Sequence, residues 1–169
     1  MLVKCIAYTL YGIEALKIEI EVHVTRGVNF YLVGLPDNAI KESQQRIYTA
    51  LTQSGYKIPG KQCTVNLAPA NVRKEGTAFD LGIALGILAA SEQIDSQELQ
   101  QWAILGELAL DGTLRSVNGI LAIALQAKKD GLKGLIIPHA NAEEASVIDA
   151  LEISRSEEHT SELQSRVDI

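Results

Sequence analysis

The chain has 169 residues, 47% hydrophobic and 21% charged, which suits one soluble globular domain large enough to bury a real core. With 15 Lys and Arg against 21 Asp and Glu the net charge is −6, which excludes a globally basic nucleic-acid surface, so any DNA contact needs a local patch. Cys5 and Cys63 lack metal spacing, no signal-peptide pattern opens the sequence and no apolar run nears the ~20 residues of a membrane span, so a cytoplasmic protein with reduced core thiols and no membrane partner is expected.

Residues 3–10 read as a strand ending near Tyr11 and Gly12. Residues 15–25 alternate strictly: Leu16, Ile18, Ile20, Val22 and Val24 on one face, Lys17, Glu19, Glu21, His23 and Thr25 on the other. That pattern belongs to an antiparallel sheet with one wet side, and it makes His23 a surface residue rather than a ligand. Arg26 and Gly27 turn the chain into a third strand, 29–33. Asp37 is placed to cap a helix running to about Ser54, with Ile40, Ile47 and Leu51 along one stripe and Lys41, Glu42, Gln45 and Arg46 mostly off it.

Residues 63–67 alternate as a half-buried strand, which Pro69 ends. Arg73, Lys74 and Glu75 then form a charged loop, expected to be exposed. Thr77 and Asp80 have the spacing of a capping-box variant, so Asp80 is expected to be a helix-start carboxylate. The helix that follows, 81–90, is apolar almost all round and must be buried on more than one side. A polar connection leads to a strand over 102–110. Asp111-Gly112 signals a tight hairpin, and 113–117 pairs back. A helix to about Lys129 carries Ile120, Ile123 and Ala127 on one stripe; a buried strand 135–137, a short helix 142–147 and an edge strand 151–153 complete the pattern. The expected fold class is α/β, of the two-layer α+β kind: a mixed, mostly antiparallel sheet with helices packed on one side, the helix 81–90 being the most buried.

From residue 154 the character changes. Residues 155–165, RSEEHTSELQS, resemble the translation of a common sequencing-library adapter. The domain is therefore expected to occupy 1–153, with 154–169 a non-native tail packing against nothing and the natural protein continuing beyond about Ile153.

Across 1–153 the segments GLPDNAIKES, VNLAPANVRKEGTAFDLGIALGILAA, LGELALDGTLRSVNG and LIIPHANAEEA resemble the amino-terminal domain of the Mg-chelatase-like AAA+ ATPases, the YifB/ComM competence family. The resemblance implies the fold shared by the proteolytic domain of Lon protease and by the second domain of ribosomal small-subunit protein five. It also implies a parent motor that remodels DNA during uptake and recombination, with ATP and Mg held in a separate P-loop module. No G-x-x-x-x-G-K-[ST] occurs in this sequence, and Gly82 to Gly86 has no lysine behind it, so no cofactor is expected here. The implied partners are the protein's own AAA+ module, further subunits of a hexamer, and DNA.

Three functions compete: a non-catalytic accessory domain, a Lon-like peptidase and a free-standing binding module. The resemblance to Lon implies a Ser–Lys dyad, and aligning its two turns puts Ala78 at the serine position and Leu121 at the lysine position. Alanine has no nucleophilic atom and leucine cannot hold a proton, so catalytic residues are expected to be absent. A one-residue shift would offer Thr77, but no lysine replaces Leu121. Arg73, Lys74 and Glu75, ahead of a helix start, are the candidate anion- or partner-binding loop, against the alternative of a solvated loop held by local ion pairs. Arg115 after the hairpin is expected to be solvated, and His23, His139 and the cysteines offer no metal-ligand spacing.

Overall fold

A computed structural model describes residues 1–156. β1 (Leu2–Tyr11) and β2 (Glu14–Thr25) form a long antiparallel hairpin, and β3 (Phe30–Val33) follows as an edge strand. α1 (Asn38–Lys41) and α2 (Ser43–Gln53) occupy the expected helix, broken at Glu42; Asp37 caps it, its Oδ1 accepting the Ile40 N–H at 2.9 Å. Next come β4 (Gln62–Ala68), α3 (Asp80–Ala90), β5 (Trp102–Ile104), the short pair β6 (Glu107–Leu108) and β7 (Leu114–Arg115), α4 (Ile120–Lys129), β8 (Gly134–Pro138), α5 (Ala142–Ala145) and β9 (Glu152–Ser156).

The strand order is β3-β4-β2-β1-β5-β8-β9. The two longest ladders, β1 with β2 and β2 with β4, are antiparallel; β3–β4, β1–β5, β5–β8 and β8–β9 run parallel. The α/β class with a mixed sheet and helices packed on it holds, but the helices lie on both faces. Cys5, Ala7, Ile18, Ile20 and Val22 point to the side of α2 and α3, whereas Ile6, Tyr8, Ala103, Leu135 and Ile137 pack with Ile120, Ile123, Ala124 and Ala127 of α4. The reason lies in β5 and β8. They are short and apolar throughout, so each strand needs cover on both faces.

Every residue of α3 is buried, as its unbroken apolar pattern requires. Gly82 and Gly86, one turn apart, let its backbone lie directly on β2. A Cβ at Gly82 would meet Ile20 Cδ1 at 2.7 Å, and one at Gly86 would meet Val22 Cγ2 at 2.6 Å. Fully burying each leucine or isoleucine on this helix contributes about 1.5–3 kcal/mol, so α3 is the chief apolar anchor of the domain.

The expected strand over 102–110 is divided. At Gly106 the chain leaves the sheet, its N–H donating to the Ala78 carbonyl at 2.9 Å and its carbonyl accepting from Leu81 at 3.1 Å. β6 then pairs with β7 as a separate hairpin, Glu107 opposite Arg115 and Leu108 opposite Leu114, around the predicted Asp111-Gly112 turn. At the far edge β9 runs to Ser156, three residues past the expected boundary at Ile153. The rest of the tail, with the adapter resemblance, lies outside the described residues. No helix among the described residues is long and apolar enough to cross a membrane.

Candidate functional site

The turn from β4 into α3, the β6–β7 hairpin and the approach to α4 enclose a cleft of about 330 Å³ against the end of β1. Ala78, Thr77 and Glu75 form one wall, Glu107 the second, and Ser116 and Asn118 the third. The wall carrying Ala78 is fixed by the Gly106–Ala78 hydrogen bond.

Lys74 departs from expectation. It belongs to a charged tripeptide that reads as exposed, yet it is fully buried, and its Nζ donates to the carbonyls of Gly34 (2.7 Å) and Pro69. The backbone is stitched in the same place: the Lys74 N–H donates to Leu35 O at 3.2 Å, Asp37 N–H to Lys74 O at 3.0 Å, and Gly76 N–H to Asp37 Oδ2 at 2.9 Å. Lys74 is a structural clamp between two loops, its ammonium pushed below the ordinary lysine value by desolvation. Its neighbours are exposed and pair with each other, Arg73 Nε to Glu75 Oε1 at 3.1 Å. Of the three loop residues, only Arg73 remains a cation open to solvent.

Thr77 does not cap α3, and neither does Asp80. The N-cap is Phe79, with no side-chain cap bond. Thr77 Oγ1 donates instead to Glu107 Oε2, and this bond, with Arg115 Nη1 at 3.2 Å from Glu107 Oε1, holds the Glu107 carboxyl below its ordinary value. Asp80 is buried and takes a two-pronged contact from Arg46, Nε to Oδ2 at 2.7 Å and Nη2 to Oδ1 at 3.0 Å, plus the Leu108 N–H at 3.2 Å. Burial pushes the Asp80 carboxyl up while Arg46 and the Leu108 N–H work against it; on the other side, the carboxylate holds Arg46 more firmly charged. This bridge ties α2, α3 and β6 together behind the cleft. Its only trace in the sequence is an arginine on the polar flank of a helix.

The positions that the resemblance assigns to a dyad stand differently toward the cleft. Ala78 lines the cleft; Leu121 does not, and sits on the outer face of α4 with 41% of its surface exposed. The Leu121 N–H, at the start of α4, donates to Glu144 Oε1 at 3.2 Å, so a carboxylate of this chain already occupies that helix end. His23 is exposed, as expected. Among the described residues no group of His, Cys, Asp and Glu is arranged to hold a metal. Cys5 and Cys63 are buried free thiols, pushed up to about 12 and about 11 by desolvation.

Residues 20–141 match the family model described as subunit ChlI of Mg-chelatase. Competence protein ComM of Haemophilus influenzae is 49% identical over 138 residues, covering 81% of this chain and 27% of that protein. YifB of Escherichia coli, itself uncharacterized, is 42% identical over 139 residues, covering 82% and 27%. A Lon protease of Magnetococcus marinus is more distant, 27% identical over 146 residues, covering 82% of this chain and 18% of that protein. The chain spans about a quarter of the length of the ComM and YifB relatives it matches. The similarity to Lon accords with a Lon-like fold, and the ChlI match runs from within β2 past the start of α4, taking in the cleft lining other than Tyr8, Thr9 and Leu10 of β1. On that match, the chain belongs to the family of subunit ChlI of Mg-chelatase.

Proposed function

We propose that this domain is a non-catalytic accessory domain of a Mg-chelatase-like AAA+ ATPase acting on DNA in uptake or recombination, serving docking, oligomerisation or guidance. The observation that carries the reading is the cleft beside Ala78, the position that the resemblance assigns to the serine, whose lining includes no lysine. Thr77 does not replace the nucleophile: its hydroxyl is committed to a carboxylate held strongly ionised, which is a weak base. Lys74 has the lowered ammonium that a dyad needs, but it is spent on two carbonyls and is not among the residues lining the cleft. ATP and Mg belong, in this reading, to the P-loop module of a longer cytoplasmic protein, which is also the domain's nearest partner and the core of a hexamer.

The test is to assay the purified chain for ATP hydrolysis and casein cleavage beside Ala78→Ser and the Ala78→Ser/Leu121→Lys pair. The expected outcome is no turnover by the unaltered chain in either assay. Contaminant-free turnover by the unaltered chain overturns the reading. DNA guidance is tested at Arg73→Ala, the exposed cation of the loop; Lys74 is unsuitable because its loss unfastens the clamp. If Arg73 touches phosphate, the substitution weakens binding alike for every sequence and lowers the salt slope by about one.

A further inference from the structure

We propose that the start of α3 binds a small oxyanion, a phosphate or carboxylate group, with the Thr9 hydroxyl meeting it from β1. The inference goes beyond the non-catalytic reading, which needs no small ligand. It begins with the backbone donors. The Asp80 N–H donates to the Thr77 carbonyl at 3.2 Å, so residues 77–80 form a tight turn running straight into α3. The Asp80 and Leu81 N–H groups thus have acceptors, in Thr77 and Gly106. Those of Ala78 and Phe79 have none among the described residues, and the helix start carries no side-chain cap. α4 starts at the same cleft and differs: its Leu121 N–H already donates to the Glu144 carboxylate. An uncapped helix start gathers unpaired donors and the positive end of the helix dipole.

A second observation, independent of the helix, comes from β1. Thr9 is 8% exposed, lines the cleft and makes no side-chain hydrogen bond with any described residue. Its place follows from the register. Gly86 lies on Val22 and Gly82 on Ile20, so four residues of α3 advance two residues along β2. The lengths agree: four helical residues rise about 6 Å and two strand residues about 6.6 Å. One more such step brings Ala78 to the level of Ile18, which pairs with Ala7. A further step passes the helix start and reaches Leu16, which pairs with Thr9. Thr9 shares the β1 face of Cys5 and Ala7, the face that α3 covers, so it stands just beyond the helix start. A hydroxyl this deeply buried is costly unless a molecule in the cleft accepts from it.

The carboxylates nearby are each offset by an arginine: Asp80 by Arg46 at 2.7 Å, Glu107 by Arg115 at 3.2 Å and Glu75 by Arg73 at 3.1 Å. The positive end of α3 is what remains uncompensated, and it favours a negative ligand group. The cleft volume of about 330 Å³ lies at the lower end of the roughly 300–1,000 Å³ of ordinary ligand sites. That size suits a small molecule rather than a nucleic-acid strand.

The test titrates the nitrogen-labelled chain with inorganic phosphate, with acetate and with a single-stranded oligonucleotide lacking terminal phosphates, followed by amide resonances. Expected results are saturable shifts at Ala78 and Phe79 with phosphate or acetate, at a Kd below about 10 mM, and a urea midpoint raised by the same anion. Sodium chloride at matched ionic strength should reproduce neither effect. Thr9→Val should weaken the binding about tenfold, and without anion it should not lower the midpoint, because the hydroxyl has no partner to lose. Thr9→Ser, which keeps the hydroxyl, should retain binding. No saturation by about 10 mM of either anion, shifts that spare Ala78 and Phe79, or undiminished binding by Thr9→Val overturns the proposal. Binding of the oligonucleotide alone overturns it too. None of these measurements reads turnover, so this inference and the non-catalytic reading fail separately.

Discussion

α3 and α4 each start at a wall of the same cleft, and they are held in opposite ways. α3 is buried on every side, lies on β2 through two glycines and is tied down by Arg46 and Asp80 at its first turn. α4 buries one stripe, Ile120, Ile123, Ala124 and Ala127, and leaves Leu121 and Leu125 open to solvent. One helix supports the cleft from inside the core and the other borders it from the surface. Substitutions should therefore be costly at α3 and cheap at α4, which is how a cleft keeps its shape while the chemistry on its border changes.

The largest effect should come from Arg46→Ala. It leaves the Asp80 carboxylate buried without its counter-charge, at a cost of about 3–5 kcal/mol, read as a lower urea midpoint. Adding Asp80→Asn should recover part of that loss; a double variant no better than the single one breaks the claim that a stranded charge is the cause. Gly86→Ala comes next, since its Cβ must displace Val22 Cγ2 from 2.6 Å; overpacking costs about 1–3 kcal/mol. An unchanged midpoint there would mean that α3 and β2 can part without penalty.

A smaller effect belongs to the cleft wall. The Glu107 carboxyl sits below its ordinary value in the folded protein, first because Thr77 donates to it and then because of Arg115. A depressed acid adds stability that is present above its unfolded value of 4.5 and is lost as pH falls through the folded value. Urea midpoints from about pH 6 down to about pH 3 should therefore fall less steeply for Glu107→Gln than for the unaltered chain. Parallel curves would remove Thr77 and Arg115 as its partners. The smallest effect is Leu121→Ala, expected within about 0.5 kcal/mol of the unaltered chain because the side chain stands on the exposed face of α4. A loss as large as that of Gly86→Ala would erase the contrast between the two helices.

Much of this was legible in the sequence. The strict alternation over 15–25 specified a strand with one wet face, because the side-chain period of a strand is two, and β2 is that strand. The unbroken apolar run after Asp80 required a helix buried all round, and Asp37 announced its own cap. The assignment of Ala78 and Leu121 to dyad positions rests on resemblance alone. What the sequence could not reveal was how the charges are spent. Lys74 looks solvated beside Arg73 and Glu75, but its acceptors are carbonyls of Gly34 and Pro69, which only folding brings to it. Arg46 looks like helix-surface charge until β6 arrives beside Asp80. Where β5 leaves the sheet is likewise decided at Gly106, by contacts with Ala78 and Leu81. Local periodicity reports which side of an element is dry, because that depends on near neighbours. Which buried charge meets which partner, and where a strand leaves the sheet, depends on chain segments tens of residues apart, and only the tertiary structure decides it.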